Sequence, residues 1–126
     1  MIIRKLSDIV GTERDVAWGN GQSRRFLLEK DGMGYSLTDT VIEAGTESLL
    51  EYKNHMEACY CIEGSGEVED MDGNVHPIEV GTMYALDKHD KHYLRATTTM
   101  RLVCMFTPAL TGQESHNLKD GESSHY

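Results

Sequence analysis

From residue 35 to 42 two sets of side chains alternate. Tyr35, Leu37, Asp39 and Val41 interleave with Ser36, Thr38, Thr40 and Ile42. A period of two puts the sets on opposite faces of a β-strand. Similar short segments recur at 25–28, 49–53, 57–62, 67–71, 74–78, 82–86 and 92–96, ending with the strongly apolar 100–106. Turn signals separate them: Asp31-Gly32-Met33-Gly34, Ala44-Gly45-Thr46, Glu63-Gly64-Ser65-Gly66 and Asp72-Gly73. Asp72-Gly73 is the strongest hairpin signal. Pro77 marks an edge or a strand end, and Pro108 stops the last strand. Residues 1–10 hold a short turn of helix capped by Ser7 or Asp8. Residues 11–23 are polar and Gly-rich and read as loop. No segment of useful length has the helical period. The expectation is an all-β fold, a barrel or sandwich, in a single domain over 1–126 with a polar tail from about residue 113.

Charge narrows the partners. The chain of 126 residues carries a formal net charge of −9. That argues against nucleic acid and against an anionic membrane surface. No apolar run is long enough to span a bilayer, and the N-terminus lacks the apolar core of a signal peptide. Cys59, Cys61 and Cys104 form an odd set, and the first two lie too close on one strand to bridge. A reduced, cytoplasmic setting is expected.

The spacing of glycines and acids resembles the cupin family of small, jelly-roll-like β-barrels. From Gly45, five residues lead to Glu51, one more to Lys53, three to Glu57 and six to Gly64. The glycine and glutamate frame of the first cupin motif fits, but Glu51 and Lys53 occupy its two histidine places. In the second motif Gly81-Thr82-Met83 leads to Tyr84, again where a histidine stands in the pattern. Inward strand faces meet in a barrel, so Glu57, Tyr84 and a histidine of the following strand can converge. One carboxylate, one phenolate and one imidazole suit a divalent iron-like ion better than a structural zinc site.

Longer runs carry a closer resemblance. Gly32-Met33-Gly34, Tyr52-Lys53-Asn54-His55-Met56-Glu57-Ala58, the run from Gly81 to His92, and Leu110-Thr111-Gly112 are similar to the ectoine synthase family, from Ile2-Ile3-Arg4 to Glu114. The resemblance implies a cupin barrel with Fe(2+) held by Glu57, Tyr84 and His92. It implies a homodimer whose small-molecule substrate is N-γ-acetyl-L-2,4-diaminobutyrate, cyclised to ectoine with loss of water. It implies substrate contacts at Arg25, Thr38, Thr40, Tyr52, Cys104, Phe106 and Glu114, and catalytic roles for Glu114, Tyr52, Glu57 and Tyr84. Arg25 would hold the substrate carboxylate as a bidentate pair. Glu114 would take protons from the amine, with Glu51 as a second candidate.

Three positions depart from that family's pattern. Gly21 stands where an aromatic is usual, with Trp18 three residues earlier; Glu51 replaces a histidine; Thr38 replaces Asn or His. They motivate an alternative, a non-catalytic or divergent cupin that binds another small zwitterion. His55, His76, His89, His116 and His125 read as surface or turn residues, His89 orienting the turn before His92. Cys59 and Cys61 read as small core hydrophobes.

Overall fold

The computed structural model describes residues 1–114. The expected polar tail, with His116 and His125, lies almost wholly outside the described residues. Two antiparallel sheets carry the described chain, a six-stranded one in the order β1-β2-β3-β10-β5-β8 and a four-stranded one in the order β4-β9-β6-β7. In chain order the strands are β1 (Asp15–Ala17), β2 (Gly21–Leu27), β3 (Ser36–Ile42), β4 (Glu47–Leu50) and β5 (Met56–Glu63). They continue as β6 (Gly66–Asp70), β7 (Val75–Ile78), β8 (Met83–Leu86), β9 (His92–Ala96) and β10 (Met100–Thr107). The all-β expectation holds.

Strand β3 shows how the interior was chosen. Its inward set is the more polar one: Ser36, Thr38 and Ile42 are buried and Thr40 is half-buried. Three hydroxyls on a core-facing strand cost burial energy unless they meet partners or a ligand. The other face carries Asp39, only 9% exposed. Arg24 and Arg101 both reach its carboxylate, and Arg101 also binds Glu63 at 2.9 Å. Burial raises the Asp39 pKa, but these two guanidinium groups outweigh it and hold the carboxyl below its usual range. Between the sheets pack Ile42, Cys61, Met100, Leu102 and Leu110, each at most 1% exposed. Each large apolar side chain buried there contributes about 1.5–3 kcal/mol.

The structure differs locally from the periodicity. The 11–23 stretch contains β1 and the start of β2, paired at Asp15↔Arg24 and Ala17↔Gln22. Its polar, Gly-rich composition hid a strand in which Gly21 is needed for contact rather than for a turn. A Cβ there would lie 1.8 Å from the Val41 carbonyl oxygen. The first helix, α1 (Leu6–Ile9), is capped from within, the Lys5 N–H donating to Asp8 Oδ2 at 2.8 Å. The β6–β7 hairpin is wider than Asp72-Gly73 suggests. Asp70 Oδ1 accepts the N–H groups of Asp72 and Asn74, each at 2.9 Å, and stretches the loop. Strand β7, with Pro77, is an edge, as expected. Strand β4 ends at Leu50, so Glu51 and Tyr52 lie outside the sheets, Tyr52 turning its ring into the core.

Candidate active site

Strand register lays the candidate residues out in rows. Arg25 pairs with Thr38, Thr38 with Cys104, Cys104 with Cys59 and Cys59 with Tyr84. One row thus crosses β2, β3, β10, β5 and β8, with neighbouring Cβ atoms about 4.5–5.5 Å apart. On one side of it runs Ser36, Phe106, Glu57 and Leu86; on the other Ser23, Thr40, Leu102 and Cys61. The facing sheet supplies His92 from β9, paired with Leu50 and with Asp70.

Between the sheets lies a cavity walled by Tyr52, Glu57, Cys59, Tyr84, Cys104 and Phe106, with Trp18, Ser23, Thr40 and aliphatic side chains completing it. Counted with its open mouth it encloses about 410 Å³. Tyr52 meets Phe106 edge-on at 5.2 Å between ring centroids. The His92 ring sits 5.9 Å from that of Tyr52 and 6.4 Å from that of Tyr84.

His92 is 1% exposed. Its Nδ1 lies 2.8 Å from the Asp90 carbonyl oxygen, which can only accept, so Nδ1 carries the proton. The lone pair is then on Nε2, which has no hydrogen-bond partner among the described residues. Burial pushes the His92 pKa down, against the pull of that carbonyl, and keeps the ring neutral. A carbonyl accepting from one nitrogen and a free lone pair on the other is the usual preparation of a metal-ligating imidazole.

The other groups are latent anions. Burial pushes the Glu57 carboxyl up to about 8, although the Cys59 and Cys104 thiols donate to it. Burial and neighbouring Cys104 and Glu57 raise Cys59 well above the usual thiol range. Burial, Cys59 and Glu57 do the same to the Tyr84 phenol. No lysine or arginine is among the cavity-lining residues. A carboxyl, two thiols and a phenol gathered with no lysine or arginine among the described lining residues fit a bound cation. A carboxylate oxygen of Glu57 and the Sγ atoms of Cys59 and Cys104 lie within 4.8 Å of one another, close enough to hold one metal ion.

Of the residues expected at the site, Thr40, Tyr52, Glu57, Tyr84, Cys104 and Phe106 wall the cavity and His92 adjoins its two tyrosines. Thr38 is buried beside them, its Oγ1 3.1 Å from that of Thr40. Arg25 and Glu114 are not among the cavity-lining residues. Arg25, 1% exposed, donates to the carbonyls of Gly112 at 3.0 Å and Glu114 at 3.2 Å. The Glu114 carboxylate accepts from Thr111 and Gly112 N–H at 2.9 and 3.0 Å. Burial raises its pKa, but these N–H groups outweigh it and hold it below the usual range. Glu51 is half-buried, its carboxylate 3.6 Å from Lys53 Nζ, and does not line the cavity.

Two findings correct expectations drawn from the sequence, and a third decides one it left open. Cys59 is a cavity wall rather than a core filler; only Cys61 is plain core, its thiol donating to the Glu63 carbonyl at 3.3 Å. His55 is no surface residue: it is 8% exposed, with Nδ1 2.7 Å from the Pro108 carbonyl and Nε2 3.7 Å from Glu114 Oε2. Its ring stands edge-on to Phe106 at 6.1 Å, so the His55–Glu114 pair backs the cavity wall. Trp18 does enter the cavity. Its indole N–H donates to the Val41 carbonyl at 3.2 Å and lies directly over Gly21. His89 behaves as expected. At φ 56°, its Nδ1 is 2.8 Å from the Tyr52 carbonyl, tying the two loops that flank the site.

The model of the family described as ectoine synthase matches residues 1–124. The chain belongs to the ectoine synthase family. The L-ectoine synthase of Halalkalibacterium halodurans is 58% identical over 118 residues, covering 93% of this chain and 92% of that protein. That of Desulfatibacillum aliphaticivorans is 58% identical over 124 residues, 96% and 95% of the two chains. The crystal structure of ectoine synthase from P. lautus superposes with a TM-score of 0.89 at 54% identity, over 99% of this chain and 88% of that one. An RmlC-like cupin from Shewanella frigidimarina shares the fold, with a TM-score of 0.65 at 20% identity over 79% of this chain and 86% of that one. The cupin architecture expected from the glycine frame is therefore the architecture of this ectoine synthase family member.

Proposed function

We propose that this chain is an L-ectoine synthase, closing N-γ-acetyl-L-2,4-diaminobutyrate into ectoine with loss of water, and that it works with Fe(2+) held by Glu57, Tyr84 and His92. The observation that carries the metal reading is His92 Nε2, buried beside Tyr84 and without a hydrogen-bond partner among the described residues, in a cavity whose described lining holds a carboxyl and a phenol but no lysine or arginine. Bound there, the ion supplies Lewis-acid polarisation of the acetamide oxygen.

The chain's own residues do the rest. A new C–N bond forms between the α-amine and the acetamide carbon. The C–O bond breaks, and the two amine protons leave with the oxygen as water. Folding the substrate so that amine and carbonyl meet is worth up to about 7–11 kcal/mol. Trp18, Tyr52, Leu102 and Phe106 form the apolar walls that impose this fold and exclude water, and the Thr40 and Ser23 hydroxyls offer polar contacts. We assign proton uptake from the amine to Glu114, held ionised by Thr111 and Gly112 and poised against His55 behind Phe106. Arg25 acts through the 112–114 segment it anchors; to hold a substrate carboxylate it would exchange one of those carbonyls for the ligand. Of the departures that favoured a different ligand, Gly21 is answered by Trp18 in the cavity and Glu51 by its place outside it.

We also infer a homodimer. The outward face of the six-stranded sheet exposes Met56, Tyr60, Met83 and Met105, each 42–60% accessible, and such patches mark contact surfaces. With a net charge of −9, nucleic acid and anionic membranes are poor partners; among the described residues no helix is long and apolar enough to cross a membrane. Three free cysteines fit the reducing cytoplasm.

The test is product formation. Chelated protein reloaded with Fe(2+) and given the acetylated diaminobutyrate should yield ectoine, and the Glu57→Ala variant should not. Absence of ring product from the iron-loaded wild type would overturn the assignment.

A further inference from the structure

We propose that Cys59, Cys104 and Glu57 form a second cation site within the cavity, one that selects thiophilic divalent ions of the zinc class. The competition with iron that follows rests on the iron reading of Glu57; the sulfur site itself does not.

The geometry comes from register. Cys104 on β10 stands directly opposite Cys59 on β5, and Glu57 lies two residues before Cys59 on the same inward face. Their ligand atoms lie within 4.8 Å of one another and all three residues are buried. Ligands about 2.0–2.3 Å from a tetrahedral zinc ion are separated by somewhat less than this, so small rotamer adjustments close the site. The fourth position opens on the cavity. Two thiolates and one carboxylate are a soft set. Thiolates favour zinc-like ions, while carboxylate, phenolate and imidazole without sulfur suit a harder ion. Glu57 belongs to both sets, so one ion excludes the other.

Cys59 decides which set prevails. It stands between Cys104 and Tyr84 in the row that crosses the sheet. With an aliphatic residue at that place only Cys104 would remain, and a single thiol does not make a site. Binding must release the thiol protons, up to two per ion, because the thiolate is the ligand. The consequence for the enzyme is inhibition by zinc-class ions that removing Cys59 relieves.

The experiment uses the metal-free full chain under reducing conditions, with Co(2+) as a coloured stand-in for zinc. The wild type should show an intense near-ultraviolet thiolate-to-cobalt band, lost on adding Zn(2+). Cys59→Val should lack the band and bind Zn(2+) at least about tenfold more weakly, since even outer-shell partners of a metal carry that much affinity. Mn(2+), a hard-ligand ion, should bind wild type and variant within about threefold, which also reports that the variant is folded. Cys59→Ser repeats the comparison should the valine disturb packing, and the wild-type band is a readout independent of either variant. A wild type without the band, or Zn(2+) affinity unchanged in a folded Cys59 variant, overturns the proposal. Failure to make ectoine with iron would strike the catalytic assignment and leave the cobalt band untouched.

Discussion

An alanine at Gly21 sets two effects of opposite sign against each other. Its φ is not in the left-handed region. Replacing glycine there should therefore stabilise by about 0.4–1 kcal/mol through the unfolded chain. The added Cβ, however, would meet Val41 O at 1.8 Å and Val41 C at 2.7 Å, with Trp18 Nε1 at 3.2 Å. A C–H carbon in favourable contact with a carbonyl oxygen lies about 3.3–3.6 Å from it. Backbone cannot swing aside as a side chain can, so β2 and β3 must part by more than an ångström. Three hydrogen bonds sit at that junction: Trp18 N–H to Gly21 O at 3.1 Å, Trp18 Nε1–H to Val41 O at 3.2 Å, and Glu43 N–H to Asn20 O at 2.8 Å. At about 1 kcal/mol each, their loss outweighs the entropy gain, and the net cost is roughly 2–4 kcal/mol. Trp18 is the sole tryptophan, so its fluorescence reports the junction directly. Gly21→Ala should lower the urea midpoint, shift Trp18 emission in the folded state and raise KM, because the indole walls the cavity. Gly73→Ala is the control. It sits at φ +85° with nothing within 4 Å of the new carbon, so strain alone should cost about 1–2 kcal/mol and leave the emission unchanged. A Gly21→Ala protein as stable as wild type, with unaltered emission, would refute the close-approach argument.

In the metal-free protein, Glu57 has a folded pKa of about 8 against an ordinary 4.5. Its contribution is present below the lower value and is lost as pH rises through the upper one, about 5 kcal/mol across that window. The apo wild type should therefore lose thermal stability relative to Glu57→Gln between about pH 5 and 8; parallel profiles would contradict the buried carboxyl. Asp39→Asn leaves Arg24 and Arg101 facing a neutral amide and should cost about 1–3 kcal/mol at neutral pH in denaturant titration. The Asp39 pKa is lowered on folding, so the wild-type advantage should shrink as pH falls below about 4. Phe106→Ala removes a side chain 4% exposed that packs on Tyr52 and His55. About 3–5 kcal/mol of stability and most of kcat/KM should go together, measured by unfolding and by product formation.

A site is legible in a sequence where its geometry runs along the chain and hidden where it runs across it. Glu57 and Tyr84 were legible because the cupin frame is a spacing along the chain, and β3 because a period of two is local. The rows are not local. Cys59 meets Cys104 through the β5–β10 register, 45 positions apart, and nothing in Glu57-Ala58-Cys59 distinguishes an inward thiol in a core from one in a cavity. His55 was lost for the same reason: its partners, Pro108 and Glu114, arrive from the far end of the described chain. The strand beside Trp18 was hidden differently. Polar, Gly-rich composition read as loop, when Gly21 is a strand residue stripped of its side chain so that a neighbouring indole can lie against the sheet. The polar inward set of β3 was visible in the alternation, yet only the fold shows which face is inside. Of the hydroxyls on that face, Thr40 reaches the cavity wall and Thr38 lies buried behind it, the two Oγ1 atoms 3.1 Å apart. The strand's inner polar face and the acids of the glycine frame thus meet at one place, because Thr40 shares its cavity wall with Glu57 and Tyr84.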